Sequence, residues 1–569
     1  MAIMTYTPHQ SIAVHGYTIG ANTATRTSPP SSSIHFHSDN NKDNSETISI
    51  PWLIVGGGIH GVHIAARLVG TGAIPKSTTL SSPSLCIVDD NAQLLQKWKY
   101  RTASTGMKYL RSSAGYHLDL EEHSLRRHFG NTNGYNTNQV TNPSISKKKK
   151  KRKKNKKKKE QGENNRSHSS SSSDQQQPSL FFTNDYERPR LDIFNQHCDS
   201  VITKYGLDKL HTQGRVVSIE PNDEIVKVKV SLSQTDDNSR TSAITYEAEH
   251  VVLALGNDEP SYAEWVDDTD IENGLVHHLL DDVKQGEWQP PQQRQEKPSN
   301  INNKDLSNVN TETMKGHRVA IVGGGITAAH KALELAHSVN NNNNNESKTF
   351  PVVHLISRHP LKEQQFDTHQ DWMMDKAACQ RSKEGGGSGV PKRQRLFSNI
   401  SSWEERRKII AKERIPGTVT PAVNRGQDGL RYAIENKEII WHQAEVVGKR
   451  YITKNDNHNS NDQVEEEHTN CGLELSLSCG DTIEVDQVLL ATGFGKKIPG
   501  GTLIQKDLVD KAGLQVSKFC GFPIVDENLL WHSRIFVAGA LAELEIGPSA
   551  RNIAGARLAA ERILQSIRR

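Results

Sequence analysis

Two stretches of this chain share one unusual form, an apolar run that ends in three glycines and opens into a helical pattern. The first is WLIVGGGIHGVHIAARL, residues 52–68, and the second is RVAIVGGGITAAHKALEL, residues 318–335. Apolar residues recur at helical spacing after the glycines, so each stretch predicts strand, tight turn and helix. A chain that carries this unit twice is expected to have two parallel α/β parts, each with a dinucleotide site.

The order of elements after each turn also repeats. The first turn is followed by a strand with an acidic end, SLCIVDD, then a hairpin pattern and an apolar strand that ends at Gly256. The second is followed by FPVVHLISR, the hairpin pattern LELSLSCGDTIEV and an apolar strand that ends at Gly493. We therefore predict an α/β fold of two Rossmann-like, three-layer dinucleotide-binding domains, the second inserted into the first.

The glycines of the first turn, Gly56, Gly58 and Gly61, fit the pattern G-x-G-x-x-G. The first glycine permits the tight turn, the second lets the backbone approach a pyrophosphate, and the third lets helix and strand pack closely. The N-terminus of the helix adds amide hydrogens for the anion. Asp89 ends the next strand, where its carboxylate can accept a hydrogen bond from a ribose hydroxyl. It comes about a dozen residues later than the usual ~20, which we assign to a polar insertion.

The second turn differs from the first at two points that affect nucleotide choice. Gly323, Gly325 and Ala328 form it, with alanine as an allowed third residue. The following strand ends in Ser357 and Arg358 rather than in an acid. A hydroxyl and a cation suit a 2′-phosphate, so we predict NADPH at this site; the other interpretation is a surface arginine at a strand end.

The second nucleotide needs an electron acceptor across the crevice, and we assign FAD to the first site for that reason. Strand ends near both nucleotides supply further candidate residues, namely Gly256, Thr492 and Gly493. Gly539 ends the strand IFVAG, and a helix pattern follows Gly547. These two glycines can direct amide dipoles toward the flavin ring.

Composition sets the predicted division of the chain, since stretches poor in apolar residues cannot offset chain entropy. The predicted parts are a disordered N-terminal segment, 1–48; a FAD-binding domain in three parts, 49–130, 179–284 and 485–569; a disordered basic insertion, 131–178; a disordered linker, 285–315; and an NADPH-binding domain with low-complexity insertions, 316–484.

Other classes of site have little support in the sequence. Disulfide reductases need a redox pair such as C-x-x-C, and the six scattered cysteines include none. No histidines and cysteines have the spacing of metal ligands, so we expect no metal. There is no apolar run long enough to span a bilayer and no secretory signal pattern. We therefore expect a soluble cytoplasmic protein; the sequence leaves its oligomeric state open.

The basic residues are concentrated in one run. Lys147–Lys159 holds twelve of them, and removing those twelve from a net charge of +4 leaves −8. Such a run is typical either of a solvated loop insertion or of a nuclear or nucleic-acid-binding patch, and we favour the loop. We do not expect nucleic acid to be a partner of the folded domains.

Three segments resemble the flavin-dependent N-hydroxylating monooxygenases, the family of lysine N6-hydroxylase and ornithine N5-oxygenase. DQVLLATGF, residues 486–494, is similar to that family's D-x-x-x-(L/F)-A-T-G-(Y/F). GGGITAAH, residues 323–330, resembles its NADPH turn, with Thr327 for serine and His330 for glutamate. WKYRTASTGMKYLRSS, residues 98–113, is similar to the segment that passes beside the flavin.

The resemblance implies a mechanism and three catalytic-site candidates. In that family, reduced FAD and dioxygen give a C4a-hydroperoxyflavin, which transfers its distal oxygen to an amine while NADP⁺ stays bound. By resemblance, Met107 and Lys108 lie near the flavin and Arg111 holds a substrate carboxylate bidentately. The same stretch also reads as a helix face against the core with exposed cations. The C-terminal substrate pattern L-L-S-x-x-A-x-R is only partly present, around Ser549–Arg551.

Three functions therefore remain open. The first is an NADPH- and oxygen-dependent monooxygenase acting on an amine or amino acid of the lysine or ornithine type. The second is an NADPH oxidase or quinone reductase of the same fold. The third is a non-enzymatic, nuclear or nucleic-acid-associated flavoprotein that uses the lysine run.

Overall fold

The structure is a computed structural model that describes residues 46–74, 83–121, 124–130, 188–232, 243–257, 259–281, 318–337, 351–372, 392–426, 428–453 and 470–568. All of these belong to one compact unit, Ser45–Arg569. The predicted insertion 131–178 with its lysine run and the predicted linker 285–315 lie outside the described residues.

The strands, in chain order, are β1 (Glu46–Val55), β2 (Leu85–Asp89), β3 (His211–Gln213), β4 (Arg215–Pro221), β5 (Val226–Ser231), β6 (Ala243–Leu253), β7 (Val276–His278), β8 (Arg318–Val322), β9 (Val352–Ile356), β10 (Lys362–Glu363), β11 (Thr418–Val419), β12 (Ile439–His442), β13 (Val446–Thr453), β14 (Asn470–Leu477), β15 (Thr482–Val485), β16 (Gln487–Leu490), β17 (Leu530–His532) and β18 (Ile535–Val537).

The α-helices are α1 (Ile59–Gly70), α2 (Gln96–Ser104), α3 (Ser124–Gly130), α4 (Leu191–Tyr205), α5 (Asp268–Glu272), α6 (Ile326–His337), α7 (Lys392–Ser398), α8 (Trp403–Glu413), α9 (Pro421–Asn424), α10 (Leu430–Glu435), α11 (Gly501–Leu503), α12 (Glu543–Ile546) and α13 (Ile553–Arg568). Short 3-10 helices occupy Leu207–Leu210, Gln370–Trp372 and Gly539–Ala542, and a π-helix occupies Ile504–Lys511. None of the helices in these described ranges is both long and apolar enough to cross a membrane.

Two sheets repeat one plan. The larger sheet has the order β17-β18-β6-β1-β2-β3, with β5 beside β6 and β4 beside β5. The second has the order β12-β9-β8-β16-β7, and every neighbouring pair in it is parallel. The path β18-β6-β1-β2-β3 thus corresponds to the path β7-β16-β8-β9-β12. We call the larger sheet with its helices the first lobe and the smaller sheet with its helices the second lobe.

The predicted hairpins are confirmed. β5 pairs with β6 and β4 with β5 in antiparallel register, and β13, β14 and β15 form a separate antiparallel sheet in the second lobe. The predicted strand–turn–helix units also form, and α1 packs against the C-terminal helix α13. The α/β fold with two Rossmann-like parts is therefore as the repeated sequence pattern predicts.

The predicted boundaries are wrong at three strands. β1 begins at Glu46 and pairs with Ile244, so residues 46–48 are strand rather than the end of a disordered segment. Val276–His278 and Gln487–Leu490, which we predicted in the FAD-binding parts, pair with each other and with β8 in the second sheet. The physical reason for the last two is long-range pairing: both strands complete the second sheet, and their short sequences do not specify which neighbour they join.

Candidate functional site

The first glycine turn is held by contacts that leave no room for side chains at two positions. Gly56 has a φ of +111°, and a Cβ there would stand 2.4 Å from the carbonyl oxygen of Ala254 at the end of β6. A Cβ at Gly61 would stand 1.8 Å from the oxygen of Gly56. At Gly58, by contrast, no described atom lies within 4 Å of the Cβ position. The turn is thus closed on its inner side and open at the N-terminus of α1.

Asp89 lies beside this opening at the end of β2. One of its carboxylate oxygens accepts a hydrogen bond from the amide of Gly57 at 2.6 Å, and the other accepts from the amide of Asn91 at 2.9 Å. The carboxylate therefore fixes the turn. A carboxylate has about four acceptor positions, so it can also accept from a ribose hydroxyl.

The second glycine turn has the same stereochemistry in the second lobe. Gly323 has a φ of +152°, and a Cβ there would stand 2.6 Å from the carbonyl oxygen of Ala491, which follows β16. Ala328, at the third position, is fully buried. Gly325 is more covered than its counterpart, because the Cα of Gly417 lies 3.5 Å from its Cβ position. The two turns are therefore equivalent in backbone and differ in what stands over them.

The residues after β9 occupy the place that Asp89 has in the first lobe. The Cβ of Ser357 lies 3.1 Å from the Cβ position of Gly324, and the Ser357 hydroxyl accepts from the indole of Trp441 at 2.9 Å. Arg358 follows with its side chain 69% exposed, and its guanidinium lies 3.6 Å from a carboxylate oxygen of Glu445. An exposed guanidinium with one acidic partner at this distance can bind a phosphate.

The two strand-end glycines are also equivalent. Gly256 and Gly493 have φ values of +81° and +82°, and neither Cβ position has a described atom within 4 Å. Both glycines begin the connections between the lobes, and these connections bond to each other through the amide of Ser261 and the carbonyl of Gly493 at 2.9 Å. Thr492 donates to the carbonyl of Ser261 and lies 3.1 Å from Nε2 of His278.

Gly539 follows β18 at the same edge of the first sheet. It has a φ of +65°, and its Cβ position lies 3.7 Å from the ring of His60. Nε2 of His60 lies 2.9 Å from the carbonyl oxygen of Ala550, and burial lowers the pKa of this histidine to about 4. Gly547 has a φ of +88°, and its Cβ position lies 2.9 Å from the ring of Trp372. This segment is therefore packed from both sides.

Met107 and Lys108 lie in the loop after α2. Met107 is half-buried against the core of the first lobe, and Lys108 is exposed. The carbonyl of Lys108 accepts a hydrogen bond from the amide of Leu191 at 3.0 Å, which ties this loop to the start of α4. Their predicted position near a flavin stays a prediction.

Arg111 joins the two lobes. Its Nη2 donates to the hydroxyl of Thr418 at 2.6 Å and to the carbonyl of Gln364 at 3.1 Å, and its Nε donates to the carbonyl of Gln365 at 3.3 Å. Burial lowers its pKa. These donors are engaged with the second lobe, so its contacts do not support the predicted role of a substrate clamp.

A second buried arginine was not found by sequence reasoning. Arg188 is 5% exposed, and its guanidinium donates to the carbonyl of Leu110 at 2.6 Å and to the hydroxyl of Thr420 at 3.0 Å. Burial and the nearby Arg111 lower its pKa to about 10. His330 on α6 is also buried, and burial together with Arg188 lowers its pKa to about 4. The pattern RPRLDIF contains no signal for this role.

Among the described residues, no three His, Cys, Asp or Glu side chains are arranged to hold a metal ion.

No protein-family model matches the chain, and no curated protein matches it in sequence. Solved structures do match. The FAD-bound cadaverine monooxygenase DfoA of the desferrioxamine pathway of Erwinia amylovora is 12% identical, with 91% of this chain and 94% of that chain covered and a TM-score of 0.51. The ornithine hydroxylase PvdA of Pseudomonas aeruginosa is 14% identical, with 91% and 99% covered and a TM-score of 0.54. Its reduced form has a TM-score of 0.52.

At these identities the likeness establishes the fold. The chain has the two-part Rossmann-type architecture of these flavoproteins over 91% of its length. The fold that the motif resemblance implies is thereby confirmed.

Proposed function

We propose that the protein is an NADPH- and oxygen-dependent flavin monooxygenase that hydroxylates an amine nitrogen. The observation that carries this proposal is the repeated glycine turn. A Cβ added at Gly56 would stand 2.4 Å from the oxygen of Ala254, and one added at Gly323 would stand 2.6 Å from the oxygen of Ala491, at equivalent strand ends of the two sheets. Two dinucleotide cradles in one compact chain suit the transfer of electrons between two nucleotide cofactors.

The residues of the first lobe fit FAD. The cradle we assign to it consists of Gly56, Gly58, Gly61, Asp89, Gly256, Gly539 and Gly547. Open space at Gly58 lets a pyrophosphate approach the amides of α1, and the carboxylate of Asp89 suits a ribose hydroxyl. FAD bound there would carry electrons from NADPH to dioxygen, one atom of which would go to the substrate nitrogen and the other to water.

The residues of the second lobe fit NADPH. The cradle we assign to it consists of Gly323, Gly325, Ala328, Ser357, Arg358, Thr492 and Gly493. The exposed guanidinium of Arg358 and the absence of an acid at Ser357 suit a 2′-phosphate better than a free ribose.

The chain's own polar residues at the junction of the lobes hold the loop of Met107 and Lys108. Arg188 donates to the carbonyls of Tyr109 and Leu110. Arg111, the next residue, donates to the hydroxyl of Thr418 in the second lobe. These bonds would keep the loop in place and limit the entry of water, which a reaction of reduced flavin with oxygen requires. An amine substrate is supported by the motif resemblance and by the two solved enzymes, whose names give cadaverine and ornithine as substrates.

A second candidate function is an NADPH oxidase or quinone reductase of the same fold. The observation in its favour is that Arg111, the predicted substrate clamp, has its donors engaged between the lobes. A protein without a substrate clamp would reduce oxygen or a quinone without oxygenating an amine.

The test is rapid mixing of purified, flavin-loaded full-length protein. The flavin is reduced anaerobically either by NADPH or by dithionite, and each sample is then mixed with oxygenated buffer while visible absorbance is followed. We expect a species distinct from oxidised and reduced flavin that persists only in the NADPH-reduced sample. Immediate return to oxidised flavin with stoichiometric hydrogen peroxide in both samples would overturn the monooxygenase proposal in favour of the oxidase.

A further inference from the structure

The two glycine turns differ in what covers them. At Gly58 the Cβ position has no described atom within 4 Å, whereas the Cα of Gly417 lies 3.5 Å and its amide nitrogen 3.9 Å from the Cβ position of Gly325. The second glycine of this motif is the point at which a pyrophosphate approaches the backbone. Gly417 therefore occupies space that the pyrophosphate of a dinucleotide would need in the second lobe.

Gly417 belongs to a short segment with an exposed tip and a buried base. We call residues 415–420 the strap. Its tip, Pro416 and Gly417, is exposed, while each of the three residues that follow is at most 1% exposed. Gly417 has a φ of +67°, and its own Cβ position has no described atom within 4 Å. The tip thus lies at the surface, where it can move without breaking the packing of the core.

The base of the strap is held by the first lobe. Nη2 of Arg111 donates to the hydroxyl of Thr418 at 2.6 Å, and Nη1 of Arg188 donates to the hydroxyl of Thr420 at 3.0 Å. Both threonines are buried. Because Thr418 follows the tip directly, the bond from Arg111 fixes the chain beside the residue that covers the second turn. A hydrogen bond donated by a cation is stronger than one between neutral groups.

The strap is also bonded to its own lobe on either side of the tip. The amide of Ile415 donates to the carbonyl of Asp367 at 3.0 Å, and the carbonyl of Val419 accepts from the amide of Gln364 at 2.8 Å. These two backbone bonds do not involve residues 416–418. A displacement of the tip can therefore be confined to those three residues, and the side-chain bond that it would break is the one from Arg111 to Thr418.

We propose that the strap closes the second glycine turn, is held closed by Arg111, and has to swing aside before a dinucleotide can bind. The inference rests on the proposed NADPH site. Arg111 is then a positioning residue that lowers nucleotide affinity, because binding is weakened in proportion to the fraction of molecules with an open strap. Since Arg111 closely follows Met107 and Lys108, opening of the strap also releases one bond of the segment predicted beside the flavin.

The test is titration calorimetry of flavin-loaded full-length protein with two probes and no reductant. NADP⁺ contains the pyrophosphate, and adenosine 2′-monophosphate carries the 2′-phosphate without it. The variants are Thr418→Val, which removes the acceptor of Arg111; Thr418→Ser, which retains it; and Gly417→Ala, which strains the left-handed backbone of the closed strap. Thr368→Val is the matched control, since Thr368 is 1% exposed and its hydroxyl bonds to no described atom.

We expect Thr418→Val to bind NADP⁺ about tenfold more tightly than the parent protein, because loss of a hydrogen bond from a cation favours the open strap. Gly417→Ala should bind it about fivefold more tightly, since the left-handed region is unfavourable for alanine. Thr418→Ser and Thr368→Val should bind NADP⁺ like the parent. Adenosine 2′-monophosphate should bind equally to every protein. A gain in affinity cannot come from misfolding, and Gly417→Ala tests the strap without altering the bond from Arg111.

Three results would overturn the proposal. They are weaker or unchanged NADP⁺ binding in Thr418→Val and Gly417→Ala, an equal change for adenosine 2′-monophosphate, and an equal gain in Thr368→Val. Parental NADP⁺ binding that no variant changes would overturn the strap and leave the NADPH site intact. Tighter binding in the two strap variants, with failure of the oxygen experiment, would overturn the monooxygenase alone, so the two failures are distinguishable.

Discussion

Replacing two glycines of the first turn by alanine should separate folding from flavin binding. At Gly61, an added Cβ would stand 1.8 Å from the oxygen of Gly56, a backbone atom that no side-chain motion can remove. At Gly58, the φ is −79° and the Cβ position is open. Gly61→Ala should therefore damage the fold, and Gly58→Ala should damage only the site that the fold forms.

The magnitudes follow from these contacts. Cβ atoms essentially never come closer than 3.0 Å to such an atom, so α1 and the turn must separate by about 1.2 Å in Gly61→Ala. Overpacking of this kind costs about 1–3 kcal/mol of unfolding free energy. In Gly58→Ala, the weaker N-cap lowers the free energy of unfolding by about 0.5–1 kcal/mol, and the reduced entropy of the unfolded chain raises it by about 0.4–1 kcal/mol. Its net stability change is therefore near zero, while the methyl group occupies space needed by a pyrophosphate.

The assay is urea unfolding of the flavin-free variants together with titration of each with FAD. We expect Gly58→Ala to unfold within about 0.5 kcal/mol of the parent protein and to bind FAD at least ten times more weakly, about 1.4 kcal/mol. The main effect of Gly61→Ala should be a lower free energy of unfolding. Parental FAD affinity in Gly58→Ala, or parental stability in Gly61→Ala, would refute the assignment of these glycines.

Two further predictions concern charge. Arg358→Ala should raise KM for NADPH about tenfold and leave KM for NADH nearly unchanged. Glu445→Gln removes the acid 3.6 Å from Arg358 and should lower KM for NADPH. Equal effects of Arg358→Ala on both nucleotides would show that Arg358 does not recognise the 2′-phosphate. The pKa of His60 is lowered from 6.5 to about 4, so the unfolded chain binds more protons than the folded chain between these two pH values. The free energy of unfolding should therefore fall by up to ~3 kcal/mol as the pH drops through that window. Urea unfolding at pH 7 and pH 4.5 should show a smaller loss in His60→Gln, and identical losses would contradict the argument.

Local pattern predicted much of this fold. The glycine turns, the strands that end at Asp89 and near Arg358, and the hairpins follow from spacing within short windows. Strand membership did not follow, because Val276–His278 and Gln487–Leu490 find their partners across long sequence distances. The sequence therefore predicts which units form better than which sheet each edge strand joins.

Side-chain partners were the least predictable part. The motif resemblance placed Arg111 at a substrate, yet its bonds go to Gln364 and Thr418, which lie in a distant segment. Arg188 follows a low-complexity insertion and has no motif around it. Glu543 contacts Arg407 on α8 and lies 3.8 Å from a guanidinium nitrogen of Arg414 just after it, and no spacing rule relates α8 to the end of the chain.

The two lobes show how one backbone plan can serve two nucleotides. Gly57 and Gly324 occupy equivalent positions, and each faces the first residue at or after the end of the neighbouring strand, Asp89 in one lobe and Ser357 in the other. A carboxylate at this point accepts from a ribose hydroxyl and repels a 2′-phosphate, whereas an uncharged hydroxyl followed by the cation of Arg358 attracts that phosphate. Since both turns have a positive φ at the first glycine and a strand-end carbonyl beside its Cβ position, we expect the choice of nucleotide to depend on this one position and its neighbour.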